Sequence, residues 1–227
     1  MDTFTVIMPA AGRSLRFGGP QNKLQAILAG RSVLIRSVDA FVNRADVAQV
    51  IVATTPPESG ETIPPPFVTD DPRIVFVPGG SCRAESVLRA LRRMPVDSTW
   101  VAVHDAARPL ISQELIDRTF AAARRYGAAV PAMPVALTVK QADGPLPAKV
   151  QRTLPRATLW AMQTPQIMRR AALLAAYERR PLPLDQITDD VQLLELAGEE
   201  VWIVPGEERN LKITTQADLK IAEMFLP

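Results

Sequence analysis

Cysteine is nearly absent from this 227-residue chain, and the single Cys82 excludes an internal disulfide framework and a cysteine-based zinc cluster. Nothing therefore points to an oxidising compartment, and a reducing cytoplasm is the expected setting. Long apolar runs are missing as well. No stretch approaches the roughly 20 apolar residues that a membrane span needs. Met1-Asp2-Thr3 passes straight into the strand-like Phe4 to Met8 with no charged leader region, so neither secretion nor membrane insertion is predicted. Net charge is small, with 26 Lys and Arg against 24 Asp and Glu. A balance of +2 does not by itself imply nucleic acid, whereas arginine forks suit small phosphates and carboxylates. Arg89, Arg92, Arg93, Arg124 and Arg125 fall where the amphipathic pattern places solvated helix faces. Two phosphate signatures are lacking: there is no G-x-G-x-x-G, which disfavours a dinucleotide-dependent oxidoreductase, and no Gly-Lys-Ser/Thr closing a Walker loop. Neither Cys82 nor the lone histidine, His104, has a partner constellation for nucleophilic catalysis, and both read as structural.

What is present is enough apolar material for one substantial core: 47% of residues are hydrophobic and 22% charged, the balance of a single α/β domain spanning 1–227. Short β-branched runs at Phe4 to Met8, Val47 to Ala53, Ile74 to Val77, Trp100 to Val103, Ala128 to Val135 and Val201 to Val204 read as strands. Amphipathic segments lie between them. Leu34, Val38 and Phe41 share one face of a helix over Ser32 to Val42, and Val87, Leu88 and Leu91 share one in the next. Gln113 to Tyr126, Arg169 to Tyr177, Asp189 to Ala197 and Gln216 to Phe225 are further helix candidates. Such βαβ alternation predicts a mainly parallel sheet covered on both faces. Two segments break the rhythm. Pro56 to Pro66 reads as an exposed, extended loop, and Leu137 to Pro155, with turn signals at Asp143-Gly144-Pro145 and Pro147, reads as a hairpin arm projecting from the domain and suited to contacting a partner subunit.

The first strand runs into Pro9-Ala10-Ala11-Gly12-Arg13-Ser14-Leu15-Arg16, with Lys23 beyond it, a loop of small residues carrying three cations. Small residues let backbone N–H groups approach phosphate oxygens while Arg16 and Lys23 neutralise a triphosphate, which makes the loop a candidate phosphate clamp. Taken alone, it reads equally as a strand-to-helix turn with solvated arginines. Gly79-Gly80 leads from a strand into a helix whose early part holds Ser86, so backbone groups and a hydroxyl are placed to read a base edge; an ordinary strand–helix junction has the same pattern. Asp105 follows the Trp100 to Val103 strand at the carboxyl edge, where open α/β sheets bind ligands, and is placed to contact a metal or a polyol.

The ordered set of segments is specific. Pro9-Ala10-Ala11-Gly12 with Arg16 and Lys23, Gly79-Gly80-Ser81-Cys82-Arg83-Ala84-Glu85-Ser86-Val87, Val103-His104-Asp105-Ala106-Ala107-Arg108-Pro109, Arg156, Thr164-Pro165-Gln166, Thr188-Asp189-Asp190 and Asn210-Leu211-Lys212-Ile213-Thr214 occur in the order seen in methylerythritol phosphate cytidylyltransferases, and the chain resembles that family over nearly its whole length. The resemblance implies a Rossmann-like nucleotidyltransferase fold with a projecting arm at 137–155, acting as a homodimer whose sites borrow residues across the interface. It implies that CTP and a polyol phosphate are the substrates, that magnesium is held mainly by the CTP phosphates with Asp105 as the protein-side contact, and that no nucleic acid takes part. Pro9, Ala10, Ala11, Gly12, Gly80, Ser81, Arg83 and Ser86 would bind CTP. Arg16 and Lys23 would stabilise the transition state, Arg156 and Lys212 would position the acceptor phosphate, and Asp105, Arg108, Thr138 and Thr164 would complete the acceptor pocket. Because that phosphate is itself the nucleophile, no side-chain base is needed. The chain departs from the family pattern at Asn22, where proline often stands, at Leu137, where the aspartate of a D-T-x-K segment is usual, and in having Arg209 before Asn210. The nearest rival is a ribitol 5-phosphate cytidylyltransferase with the same clamp and another acceptor; a noncatalytic nucleotide-binding module is a further alternative.

Overall fold

The computed structural model describes residues 2–12, 14, 16–18, 22–55 and 70–226. In chain order the elements are β1 (Phe4–Pro9), β2 (Ile27–Leu28), β3 (Arg31–Ser32), α1 (Val33–Val42), β4 (Val47–Thr54), β5 (Ile74–Pro78), α2 (Arg83–Leu91), β6 (Trp100–Val103) and α3 (Gln113–Tyr126). There follow β7 (Ala128–Pro134), β8 (Val139–Ala142), β9 (Val150–Leu154), β10 (Trp160–Met162), β11 (Gln166–Arg169), α4 (Arg170–Arg179), α5 (Asp190–Leu196), β12 (Trp202–Pro205) and α6 (Gln216–Glu223). The six strands and six helices expected from the sequence are all present, with ends shifted by a few residues at most. The proline-rich stretch from Pro56 to Pro66 lies outside the described residues.

Eight strands make one sheet. β5, β4, β1 and β6 run parallel side by side, β11 lies antiparallel between β6 and β7, and β7 also pairs antiparallel with β10 and parallel with β12. Successive residues of the inner strands are buried on opposite faces, which is why these strands read as continuous apolar runs rather than alternating ones. Val6, Met8, Val50, Val52 and Ala102 pack with Leu34, Val38 and Phe41 of α1 and Leu115, Ile116 and Phe120 of α3. Ile7, Ile51, Ala53, Val101 and Val103 pack on the other face with Val87 and Leu91 of α2, Leu173 and Tyr177 of α4 and Val191 and Leu194 of α5. Helix starts follow local chemistry: Ser32, Ser112 and Asp189 each accept a backbone N–H from the first turn, and Thr215 with Asp218 forms a reciprocal capping box. α3 stops at Gly127, whose φ of 96° suits glycine.

The arm forms as expected, with β8 and β9 paired antiparallel and closed by the Lys149 N–H donating to Asp143 at 2.9 Å. It buries almost nothing of its own: Leu137 is 79% exposed and Leu146 89%. Arg89, Arg124 and Arg125 are exposed on helices as their spacing predicts, whereas Arg92 and Arg93 are exposed in the turn just beyond the end of α2. Among the described residues no helix is long and apolar enough to cross a membrane.

Candidate active site

Strand order reverses beside β1: the chain moves outward through β4 and β5, then crosses back to place β6 on the other side of β1. Loops leaving the carboxyl ends of β1 and β6 diverge at such a point and leave a crevice. Here it is a cleft of about 460 Å³.

One wall is the loop after β1. Its start is pinned by the Ala10 N–H donating to Ala53 O at 2.7 Å, and Phe17, 2% exposed, anchors its middle in the core. Ser14 sits at φ 52°, and its hydroxyl donates to Asn22 Oδ1 at 3.0 Å, which also accepts the Leu24 N–H at 3.0 Å. Asn22 therefore fastens the two ends of the loop through a side-chain acceptor that a proline would not supply. Arg16 and Lys23, borne on this loop, both line the cleft.

The facing wall is the turn into α2. Gly79 lies so close to the first wall that a Cβ there would meet Ala11 Cβ at 2.3 Å, so the two walls touch only because that position is glycine. Ser86 accepts the Gly80 N–H at 2.9 Å and donates to Cys82 O at 3.0 Å, shaping the turn from inside the helix. Outside, Glu85 accepts both the N–H and the hydroxyl of Ser81 at 2.7 Å, while Arg89 donates to Glu85 at 2.8 Å and to Gly79 O at 2.6 Å. The Ser81 hydroxyl and N–H, aided by Arg89, hold the Glu85 carboxyl down to about 2. Sequence reasoning gives Glu85 no role and reads Arg89 only as part of a solvated helix face, whereas here Arg89 also braces the turn; the capping position of Glu85 in the helix's first turn is the signal that marks it.

Asp105 forms the floor. Only 7% exposed, it faces three cations: Lys212 Nζ at 3.0 Å and Arg108 Nε at 3.4 Å on one oxygen, and Arg83 Nε at 3.4 Å on the other. Burial opposes its charge, but Arg83, Lys212 and Arg108 together hold the carboxyl far below the ordinary carboxylate range. The Lys23 pKa is lowered as well, which for an ammonium disfavours the charged form. Burial, then the nearby Lys212 and, less strongly, Arg16 lower its pKa, with Asp105 partly compensating. The cleft thus carries more cation than its one carboxylate balances, the electrostatic condition for taking a polyanion.

The profile of the 2-C-methyl-D-erythritol 4-phosphate cytidylyltransferase family matches residues 4–227. The chain belongs to that family. It is 39% identical to the 2-C-methyl-D-erythritol 4-phosphate cytidylyltransferase of Gloeobacter violaceus over 97% of this chain and 95% of the relative, and 40% identical to that of Frankia casuarinae over 97% and 80%. Its fold superposes on the crystal structure of the Thermus thermophilus 2-C-methyl-D-erythritol 4-phosphate cytidylyltransferase with a TM-score of 0.78 at 35% identity, covering 99% and 98% of the two chains.

Of the residues singled out on the cytidylyltransferase pattern, Pro9, Ala10, Ala11, Gly12, Arg16, Lys23, Gly80, Ser81, Arg83, Ser86, Asp105 and Lys212 meet at this cleft. Arg108 and Thr164 lie beneath it. At 8% and 3% exposure they support Asp105, Arg108 through its guanidinium and Thr164 by accepting the Asp105 N–H at 3.0 Å. Arg108 is itself tied to the segment bearing Lys212, donating to Asn210 O at 2.7 Å. Thr138 and Arg156 are not brought in: both are exposed on or beside the arm, where the Arg156 guanidinium donates to Ala136 O. Cys82, Ser14 and Thr214 also line the cleft; sequence reasoning places them only within the segments it quotes and reads Cys82 as structural. Among the described residues no group of three or more His, Cys, Asp or Glu side chains is arranged to hold a metal, and both oxygens of Asp105 are already engaged by cations.

His104 has a structural place. Nε2 donates to Arg108 O at 3.1 Å, which fixes the tautomer, so Nδ1 accepts the Thr164 hydroxyl at 3.1 Å. Burial pushes its pKa down to about 4 from the ordinary 6.5, the Arg108 carbonyl and Asp105 acting weakly the other way. An unfolded chain takes up this proton at a pH where the folded one does not. His104 therefore costs stability progressively as pH falls from 6.5 towards 4, at up to ~1.4 kcal/mol per pH unit. His104→Gln is expected to flatten the slope of urea-unfolding free energy across that window by up to one proton; an unchanged slope would show that another group carries it.

Proposed function

We propose that this chain transfers CMP from CTP to 2-C-methyl-D-erythritol 4-phosphate, giving 4-diphosphocytidyl-2-C-methyl-D-erythritol and pyrophosphate in the non-mevalonate route to isoprenoids. The observation that carries the reading is the meeting of Arg16, Lys23 and Lys212 in one cleft against a glycine turn, with Lys23 destabilised as a cation until an anion arrives. An oxygen of the acceptor phosphate attacks the α-phosphorus of CTP, the bond to the β-phosphate oxygen breaks, and pyrophosphate leaves with the electron pair. No proton has to be removed from the nucleophile, which accords with a neutral, fully engaged His104. Arg16 and Lys23 lie on the wall that receives the triphosphate and stabilise charge on the α-phosphate and leaving group, while the Gly80–Ser86 turn holds the cytosine end. Magnesium, when bound, would be held mainly by the CTP phosphates and would supply neutralisation of their charge, while Asp105 orients Lys212 and Arg83.

Thr138 and Arg156 reach an acceptor only from a second copy, and the exposed Leu137, Leu146 and Val150 give the arm an apolar surface for one. The working form is a homodimer in which each arm completes the partner's cleft, operating in the cytoplasm.

Pyrophosphate release from magnesium and CTP is measured with methylerythritol phosphate, with ribitol 5-phosphate and with no acceptor. Release with the first alone is the expected result; preference for ribitol phosphate would transfer the assignment, and silence with both would leave only a nucleotide-binding module. For the shared site, Lys23→Ala and Arg156→Ala chains are each expected to be nearly inactive. Co-refolded at equal amounts they recover about a quarter of wild-type turnover, because half the dimers are mixed and each holds one intact site. No recovery would place Arg156 and Lys23 of the same chain in one site.

A further inference from the structure

Asp190 does not line the cleft, and the reaction as described has no use for it, yet its side chain is fully buried. A buried carboxylate is retained only with a cation and hydrogen bonds around it. One oxygen accepts the Tyr177 hydroxyl at 2.9 Å and the other accepts Arg83 Nη1 at 2.7 Å. Its backbone is fixed as firmly. Gln166 Oε1 accepts the N–H groups of Asp190 at 2.9 Å and Val191 at 3.1 Å, while Gln166 Nε2 donates to Asp189, the cap of α5, at 2.8 Å. The position of this carboxylate is thus set jointly from β11, α4 and α5.

Arg83 opens α2 at the cleft edge between two carboxylates, bound closely by Asp190 and more loosely by Asp105 at 3.4 Å. Among the described residues, no side chain or carbonyl accepts from its Nη2. A long guanidinium side chain has many rotamers, and the two-point tie selects one of them.

We propose that Asp190 is the positioning residue for Arg83: it holds the guanidinium at the rim of the cleft in the orientation that receives CTP and stops it from closing onto Asp105. This rests on the proposed reading of the cleft as the CTP site. Without the Asp190 charge, Arg83 moves onto the oxygen of the remaining carboxylate that Lys212 does not use, and is withdrawn from the nucleotide.

The test is CTP binding by calorimetry without acceptor, alongside KM and kcat. Asp190→Asn is expected to weaken CTP binding and raise its KM roughly tenfold, the usual scale for a hydrogen bond to a charged group, with acceptor KM within about twofold of wild type. In an Arg83→Ala background the same substitution is expected to cause no further loss of CTP affinity and to raise the melting temperature, since it neutralises a buried carboxylate that has lost its cation. Unchanged CTP affinity in folded Asp190→Asn, or an equal tenfold loss in the Arg83→Ala background, would overturn the proposal. Should Asp190→Asn not fold, Asp190→Glu, which keeps the charge but displaces it by one methylene from Arg83, is read in the same two backgrounds for CTP affinity alone: a loss with Arg83 present and none in Arg83→Ala is expected, and unchanged affinity or an equal loss in both overturns the proposal. A wild-type protein that binds no CTP overturns both readings, whereas one that binds CTP but ignores methylerythritol phosphate overturns the acceptor assignment alone.

Discussion

Lys23→Ala is expected to lower kcat by about 10²–10³-fold, the range found when a preorganised donor to developing negative charge is removed, while the melting temperature stays level or rises slightly. In the free protein Lys23 is half-buried and faces the like charges of Lys212 and Arg16, and its lowered pKa records that this position disfavours a cation. A side chain whose charge is disfavoured in the free protein adds little to the fold, and in the proposed function it gains when phosphate oxygens arrive, so its removal is expected to separate function from stability. Single-turnover pyrophosphate release and thermal unfolding read the two quantities separately. Near-normal turnover in the folded variant would remove Lys23 from the mechanism.

Asp105→Ala is expected to do the reverse and damage both at once. The substitution leaves Arg83, Arg108 and Lys212 facing one another around a buried void. Breaking a buried pair by deleting one partner typically costs about 3–5 kcal/mol, which in a domain of this size lowers the melting temperature by roughly 6–20 °C. The same carboxylate gives the fold an acid limit. Its folded pKa is depressed by those cations, so its contribution is complete above the unfolded value near 3.8 and is lost as pH falls below it. Asp105→Asn is therefore expected to lower stability at neutral pH and to make acid unfolding shallower; an acid limb as steep as that of wild type would show that other carboxylates set it.

The sheet's parallel half and the helices were readable because strands buried on both faces announce themselves as unbroken apolar runs, α1, α2 and α3 as amphipathic segments, and α4 as an alanine- and leucine-rich run of strong helix formers. β10 and β11 were not. β11 opens with Gln166, whose side chain turns to α5, and closes with Arg169, whose guanidinium lies 4.8 Å from the Trp100 ring, leaving only Ile167 and Met168 as an apolar signal. Trp160 and Met162 of β10 remain partly exposed at its outer edge, so their pattern resembles a loop. In the site, the residues that touch the cleft stood out as small or cationic segments at strand ends. What local pattern does not encode is division of labour: Arg108 and Thr164 prove to lie under Asp105, and Asp190 and Glu85 matter only through Arg83 and Ser81, relations set by packing between elements far apart in the chain.

That wide spacing bears on synthesis. Asp105 leaves the ribosome after Arg83 but well before Thr164, which fixes its backbone, and Lys212, which sits closest to its charge. Long-range closures of this kind come late in folding. A nascent chain halted within α5 already holds β1, β4, β5 and β6, yet Asp105 still lacks the nearest of its three cations. Completing the charge set around Asp105 therefore waits on residues made well after these strands, and a product truncated within α5 lacks both β12 and Lys212.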